Sequence, residues 1–155
     1  MYEREAAMRI STKGRYALAS AVSMARQHNN GEYITVFSIS EKLGISKIYL
    51  EQVFALLKRG GLVISVKGAQ GGYMLSRAPD RITVFDVLSS VEGALFESAE
   101  DTVASNAPDI EKAMRLSVFE ALDKSVKDAL TSVTLEDLVS EAEKNNADNS
   151  QMFYI

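Results

Sequence analysis

The feature that most constrains the fold is a run of two short helices and a hairpin in the first half of the chain. Apolar residues follow helical spacing over 36–43 until Gly44 breaks the pattern, and Ser46 is a suitable N-cap for a longer helix that closes at Gly60-Gly61. Two such helices joined by a tight glycine turn are typical of the helix-turn-helix. Since many helical hairpins share this pattern, the segment after it matters.

A β-hairpin is predicted directly after the second helix. Residues 62–66 are rich in β-branched side chains, residues 68–72 form a glycine-rich turn, and Tyr73-Met74-Leu75 resumes an extended pattern. A hairpin in this place is a wing, and Lys67 at its tip places a cation where a DNA groove or phosphate would lie. A purely structural hairpin is the alternative.

A further helix is predicted ahead of this motif, from Thr12 to about His28. Thr12 is the expected N-cap, and residues 16–25 carry apolar side chains at helical spacing. Three cations at the start of this helix are suited to contacts with phosphate: Arg9, Lys13 and Arg15.

The second helix of the motif carries the side chains suited to reading bases. Glu51 can accept a hydrogen bond from the exocyclic amine of cytosine, and Gln52 can pair in a bidentate manner with adenine. Residues nearer the helix start are suited to contacts with phosphates or base edges: Ser46, Lys47 and Tyr49. Core packing is an equally open alternative for Tyr49. Two copies of the chain would read a dyad operator of double-stranded DNA.

Charge is divided unevenly along the chain. Residues 1–79 contain eleven Lys and Arg against five Glu, a net charge of +6, whereas residues 80–155 contain six against sixteen Asp and Glu, a net charge of −10. This asymmetry favours a polyanionic partner for the first half. A charged surface without a target is the alternative. A winged helix that binds protein is the competing class, and the basic first half argues against it.

The second half is predicted to be helical and to hold two copies together. Thr83 to Asp86 resembles a capping box that opens a short helix through Val91, and Pro108 starts a long helix after an acidic loop. We expect an apolar stripe on the long helix to form the homodimer contact: Ile110, Met114, Val118, Leu122, Val126 and Leu130. Packing of the stripe onto its own domain is the alternative.

The chain ends in an apolar tetrapeptide after a polar segment. Another helix is predicted from Thr134, and the polar residues 144–151 are predicted to be disordered. Apolar anchors before a terminal carboxylate are suited to an anion-binding pocket of a partner protein, and here they are Met152, Phe153, Tyr154 and Ile155. An unused tail, or one docked on its own dimer, is the alternative.

Composition argues against several functional classes. The chain has no cysteine, which excludes disulfides, thiolate catalysis and cysteine-ligated zinc or iron–sulfur clusters. His28 is the only histidine, so we expect no metal and no cofactor. Carboxylates such as Asp86, Glu92 and Glu97 lack a nucleophile–base pattern beside them, so we expect no enzyme. No apolar run reaches the roughly 18 residues of a membrane span, and we expect a cytoplasmic protein.

The sequence resembles the Rrf2 family of transcriptional regulators. The resemblance is carried by residues 8–18 (MRISTKGRYAL), 49–52 (YLEQ), 67–73 (KGAQGGY) and 134–138 (TLEDL). It implies a dimeric winged-helix regulator with a long crossed dimerisation helix. We therefore expect a mainly α-helical fold with a small β-hairpin. Its parts are a DNA-binding domain over residues 8–79, a dimerisation region over residues 80–145 and a tail over residues 146–155.

The resemblance also implies site residues and a partner. Base contacts are implied for Glu51 and Gln52, and wing contacts for Lys67 and Gly68. Relatives usually have Arg where Lys67 stands, and some place a small polar residue where Ile48 stands, so the preferred operator is expected to differ from theirs.

Within the family, cluster-binding members carry three cysteines before the long helix, whereas residues 98–107 here contain none. The chain is similar to the cluster-free branch that represses genes of cysteine and sulfur metabolism in complex with cysteine synthase. This resemblance implies that the C-terminal tail enters the synthase active site in competition with O-acetylserine. A family member that senses a small molecule directly is the alternative.

Overall fold

The fold is described by a computed structural model that covers residues 10–28, 33–67, 71–93, 97 and 100–152. Its hairpin is antiparallel, and every other regular element is helical, with a 3₁₀ turn at Pro79–Arg81 and a π-helical segment at Arg115–Phe119. The predicted fold class is therefore confirmed. The elements are α1 (Thr12–Arg26), α2 (Val36–Leu43), α3 (Lys47–Arg59), β1 (Val63–Val66), β2 (Gly72–Leu75), α4 (Val84–Val91), α5 (Pro108–Met114), α6 (Glu120–Thr131) and α7 (Leu135–Met152).

The helix-turn-helix forms where the sequence predicts it. The Thr35 hydroxyl caps α2 by accepting from the Ser38 N–H at 3.0 Å. Gly44 ends α2 in the left-handed conformation, with φ of 68°, which an L side chain adopts only at a cost. Ser46 then caps α3 by accepting from the Tyr49 N–H at 3.4 Å. The turn therefore fixes the direction in which α3 leaves the motif.

The wing is attached to α3 and to the segment before α2. Val63 lies opposite Leu75 in the antiparallel pair, and both side chains are buried. Ile34 and Tyr73 exchange two backbone hydrogen bonds of 2.9 and 2.8 Å. The Tyr73 ring also lies 4.9 Å from that of Phe54 on α3. Because these contacts come from three elements, the base of the hairpin is held in a fixed position beside α3.

One hydrophobic core joins the helix-turn-helix to α4 and α7. Its members come from both sides of the domain boundary expected at Pro79, and they include the fully buried Ala17, Leu50, Val53, Phe54, Ile82, Val87 and Leu135. Leu135 is tied in further by its N–H, which donates to the Ile82 carbonyl at 2.9 Å. The start of α7 is therefore part of the same packed body as α1 and α3.

The predicted N-cap of α1 is wrong by one residue. Ser11, not Thr12, accepts from the Gly14 N–H, at 3.0 Å. The Ser11 hydroxyl and N–H also donate to the Glu92 carboxylate at the end of α4. Because this long-range contact holds Ser11 outside the helix, Thr12 becomes the first helical residue, and its hydroxyl accepts from Arg15.

The prediction of disorder over residues 144–151 is also wrong, since α7 continues to Met152. The helix starts at a reciprocal cap between Thr134 and Asp137, with hydrogen bonds of 2.9 and 3.1 Å. It then packs along α1, where Arg26 and Glu143 form an ion pair of 3.1 Å. Once a helix is nucleated and anchored in this way, each added residue gains a hydrogen bond at little cost, so a polar sequence can extend it.

Candidate nucleic-acid interface

The outward face of α3 is the centre of the candidate interface. Successive residues of a helix are about 100° apart, so Ile48, Glu51, Gln52 and Ala55 share one side of α3. All four are exposed. The opposite side is buried in the core through Leu50, Val53, Phe54 and Leu57. The burial pattern therefore turns the residues at 51 and 52, which the sequence singled out, away from the protein.

The two charged residues at the start of α3 contact each other. Lys47 Nζ lies 3.6 Å from Glu51 Oε1, and both side chains are about half exposed. An exposed pair of this kind contributes less than about 1 kcal/mol. Contacts with phosphate and base can therefore replace this ion pair. Lys47 and Glu51 remain available to a ligand, and the pair orients their side chains before the ligand binds.

Tyr49 has a different place from its neighbours. Its ring packs edge-on against that of Tyr16 on α1, with 5.4 Å between the centroids, and it is half-buried. The contact connects the start of α3 to the start of α1. Packing thus accounts for the ring of Tyr49.

A groove runs between α3 and the wing. It has a volume of about 820 Å³, and its walls are Thr35, Val36, Phe37, Lys47, Glu51, Gly72 and Tyr73. The start of α2, the start of α3 and the start of β2 therefore enclose one concave surface that faces the solvent. Concavity between a recognition helix and a wing is the shape that a duplex backbone needs when the helix enters a groove.

The other described cations predicted to contact phosphate lie on α1 and directly after β1. Arg15 on α1 is exposed and donates to Thr12 Oγ1 at 3.1 Å, and Lys13 is half-buried. Lys67 is exposed directly after β1. The predicted contacts at Arg9 and Gly68 lie outside the described residues.

The predicted dimerisation stripe divides into two parts. Ile110, Val118 and Leu122 are each more than half exposed. Met114, Val126 and Leu130 are half-buried, and α6 packs against α4. A step of four residues drifts slowly around a helix with 3.6 residues per turn, which fits the lower exposure of Val126 and Leu130 at the end of the stripe but not that of Met114 near its start. Both packing alternatives weighed from the sequence therefore have residues that fit them.

Leu116 is a further exposed apolar residue of the long helix, and it lies off the predicted stripe. It is 50% exposed and lies in the π-helical segment Arg115–Phe119. Residues two apart on a helix point to nearly opposite sides, so Leu116 does not share the face of Val118. In the sequence, Leu116 is recognisable only as a leucine that does not fall on the four-residue spacing of the stripe.

Glu111 is a second residue that the sequence analysis did not single out. It is buried, and its carboxylate accepts from the Val103 N–H at 2.7 Å and the Thr102 N–H at 2.9 Å. These two backbone donors lower the pKa of Glu111, and Arg115 lowers it further, against the opposing effect of burial. The contact fixes the acidic loop to the start of the long helix.

The predicted tail residues are mostly beyond the described part of the chain. Met152 is the last residue of α7, and Phe153, Tyr154 and Ile155 lie outside the described residues. Within the described ranges, no group of three or more potential ligands is placed to hold a metal ion. In the same part of the chain, no helix is both long and apolar enough to cross a bilayer.

Comparisons with known proteins agree on one family. The model of the Rrf2 family, described as an iron-dependent transcriptional regulator, matches residues 10–141. The chain is 37% identical over 150 residues to the HTH-type transcriptional regulator CymR of Bacillus subtilis, which is 96% of this chain and 100% of that protein. It is 35% identical over 139 residues to IscR of Erwinia tasmaniensis, which is 88% of this chain and 81% of that protein.

Solved structures give the same result. T. potens IscR superposes with a TM-score of 0.69 and 36% identity, covering 89% of this chain and 90% of that one. The structure of CymR, the global cysteine regulator of B. subtilis, superposes with a TM-score of 0.68 and 36% identity, covering 87% and 98%.

The donors of this chain do not fit a cysteine-ligated iron–sulfur cluster, although the family is described as iron-dependent. The sequence contains no cysteine. The buried carboxylate at the start of the long helix, Glu111, already accepts two backbone hydrogen bonds. The loop is therefore held by protein contacts at the place where a cluster would need thiolates.

Proposed function

Because the chain belongs to the Rrf2 family of transcriptional regulators, we propose that it is a dimeric repressor that reads a dyad operator with α3 and the wing. Its relatives are regulators and not enzymes. The observation that carries the proposal is the exposed face of α3, which presents Glu51 and Gln52, beside the groove of the wing. The +6 charge of residues 1–79 supports a polyanionic ligand for this face.

The proposed contacts divide into two kinds. Glu51 and Gln52 read base edges, because they leave the outward face of a helix that enters the major groove. Cations and capping groups around that helix hold the phosphates: Arg9, Lys13, Arg15, Ser46, Lys47, Lys67 and Gly68, the last through its backbone N–H.

Gel shifts with promoter DNA from the protein's own genome, at two salt concentrations, test this proposal. We expect Glu51→Ala to relax base choice by about 1–3 kcal/mol at the positions it reads. Lys13→Ala should weaken specific and non-specific binding alike and lower the salt slope by about one. Lys112→Ala, on α5 in the acidic half, is the matched control. Binding that ignores salt, or no binding to any such DNA, contradicts the proposal.

The proposed homodimer uses the exposed part of the long helix. Three apolar side chains on one face there are more than half exposed: Ile110, Val118 and Leu122. An apolar row of this length on a regulator that reads a dyad is best covered by a second copy of the same row, because a two-fold axis places identical surfaces against each other.

The proposed target genes are those of cysteine or sulfur metabolism. The similarity to CymR, named a global cysteine regulator, supports this proposal across nearly the whole chain. The absence of cysteine argues only against a cluster-based signal, which would need thiolate ligands. Transcript levels in a deletion strain, measured with and without added cysteine, test it. Unchanged sulfur-metabolism transcripts contradict it.

We propose cysteine synthase as the signalling partner, bound through Met152, Phe153, Tyr154 and Ile155. A terminal carboxylate with apolar side chains before it suits an anion-binding pocket. Deletion of Ile155 should reduce affinity for the synthase of the same genome by at least tenfold. Asn146→Ala on α7 is the control and should bind normally. O-acetylserine should displace the intact tail. Unchanged affinity after the deletion contradicts this partner.

An alternative in which a small molecule binds directly has one observation in its favour. A second groove, of about 720 Å³, lies between α1, α2 and α7. Its walls are largely apolar, with cations at the rim, and they include Leu18, Val22, Leu138, Arg15, Arg26 and Lys42. A thermal shift of the purified protein with O-acetylserine, in the absence of synthase, would favour this alternative. No shift favours the synthase complex.

A further inference from the structure

Ile48 lies at the middle of the base-reading face of α3. About 300° and 400° of helical rotation separate it from Glu51 and Gln52, so one of these polar residues lies on each side of it. The two residues that follow Ile48 do not share this position, because Tyr49 packs on Tyr16 and Leu50 is buried. The reading face therefore presents an apolar side chain between two polar ones.

The exposure of Ile48 is high for a side chain of its kind. It is 72% exposed, compared with 51% for Ile64 on the wing. Single exposed apolar residues are common on protein surfaces and need no explanation by themselves. The position of this one is what carries weight, because the adjoining groove is also walled by an exposed apolar residue, Phe37, which is 59% exposed.

The apolar group that base edges present in the major groove is the C5-methyl of thymine. An isoleucine side chain has no donor or acceptor, so it cannot pair with the amine or carbonyl groups of the other edges. On the basis of the proposed DNA binding, we propose that Ile48 is a specificity residue that selects thymine through its methyl group.

The spacing along α3 places this thymine relative to the other bases. Residues three or four apart on a helix have Cβ atoms about 5–6 Å apart, and successive base pairs rise by about 3.4 Å. The thymine therefore lies within about two base pairs of the position read by Glu51 or Gln52. The dyad repeats it once in each half-site.

The test removes the methyl group from the DNA and leaves the protein unchanged. The probe is a duplex selected by the wild-type protein from a random library. Each thymine is replaced in turn by deoxyuridine, symmetrically in both half-sites, and affinity is measured by fluorescence anisotropy. We expect a weakening of about fourfold per half-site at one symmetric position, the value for burying one methyl group. Equal affinity for every uracil-substituted duplex overturns the proposal.

A double-mutant cycle assigns the effect to Ile48. Ile48→Ser should bind the thymine and uracil duplexes equally at that position. Ile64→Ser, the matched control on the wing, should keep the wild-type preference. A preference that persists in Ile48→Ser overturns the assignment. If the library yields no bound duplex, the proposed DNA binding itself has failed, so the two failures are distinguishable.

Discussion

Gly72, which pairs with Val66 at the turn end of the wing, shows how the surroundings of a position can require glycine. Its φ is 154°, and a Cβ built on it would lie 2.7 Å from Tyr33 Cδ2 and 3.2 Å from the Ile34 carbonyl oxygen. The Ile34 backbone also forms the two hydrogen bonds with Tyr73 that hold the hairpin in place. A side chain at residue 72 must therefore displace the backbone that positions the wing.

We predict that Gly72→Ala destabilises the protein by about 1–3 kcal/mol and weakens DNA binding. Chemical denaturation measures the first effect and a gel shift the second. Gly93→Ala is the control, since a Cβ there has no neighbour within 4 Å. Equal stability of the two variants would show that the backbone at Ile34 can move to make room for the new Cβ without loss of stability.

Glu111 gives a prediction for acid pH. The Val103 and Thr102 N–H groups hold its pKa below the ordinary value of 4.5. A group whose pKa is lower in the folded state contributes stability above its unfolded pKa, and this contribution is lost as the pH falls through the folded pKa. As the pH is lowered below about 4.5, we expect the urea concentration at the unfolding midpoint to decrease more steeply in the wild type than in Glu111→Gln. Parallel pH profiles contradict this role of the carboxylate.

At the scale of elements, the cap of α7 is the point at which the C-terminal helix is anchored. Thr134 accepts from the Asp137 N–H, Asp137 accepts from the Thr134 N–H, and Leu135 between them is buried. This small set of contacts lets the polar remainder of the helix form. Its loss should therefore destabilise the whole of α7.

Thr134→Ala should therefore destabilise the protein by about 1 kcal/mol and lower Tm by about 2–4 °C. Calorimetry measures the change. Ser140→Ala removes an exposed hydroxyl from the same helix and leaves the cap intact, so it should have a smaller effect. A loss in Ser140→Ala as large as that in Thr134→Ala would mean that the cap is not the anchor.

At the scale of the whole molecule, the prediction concerns the proposed homodimer. Leu122 is 53% exposed in the single chain, so a change there perturbs the subunit core little. We predict that Leu122→Glu shifts the species in light scattering from the mass of two chains to that of one and removes operator binding. Burial of an unpaired carboxylate in an apolar contact disfavours the associated state by several kcal/mol.

Lys124→Gln is the matched control for this prediction. It changes the charge by the same single unit on the opposite side of α6, where Lys124 pairs with Asp128 at 2.7 Å. The control should remain dimeric. A Leu122→Glu protein that keeps the mass of two chains would place the dimer contact on another surface.

Local patterns in the sequence were enough to predict the order of the elements and the exposed face of α3. Capping residues and glycines act over three or four positions, so Ser46, Gly44 and the Thr83–Asp86 box could be located from local chemistry, and the structure has them as predicted. The outward direction of Glu51 and Gln52 follows equally from helical periodicity against the apolar positions of α3.

Other features depend on contacts between residues that are distant in the chain, and they could not be predicted from local patterns. Ser11 became the cap of α1 because Glu92, 81 residues away, binds it. The polar end of α7 is helical because the start of that helix is anchored on the core. Each of these depends on which surfaces meet after folding, and local propensity does not encode that information.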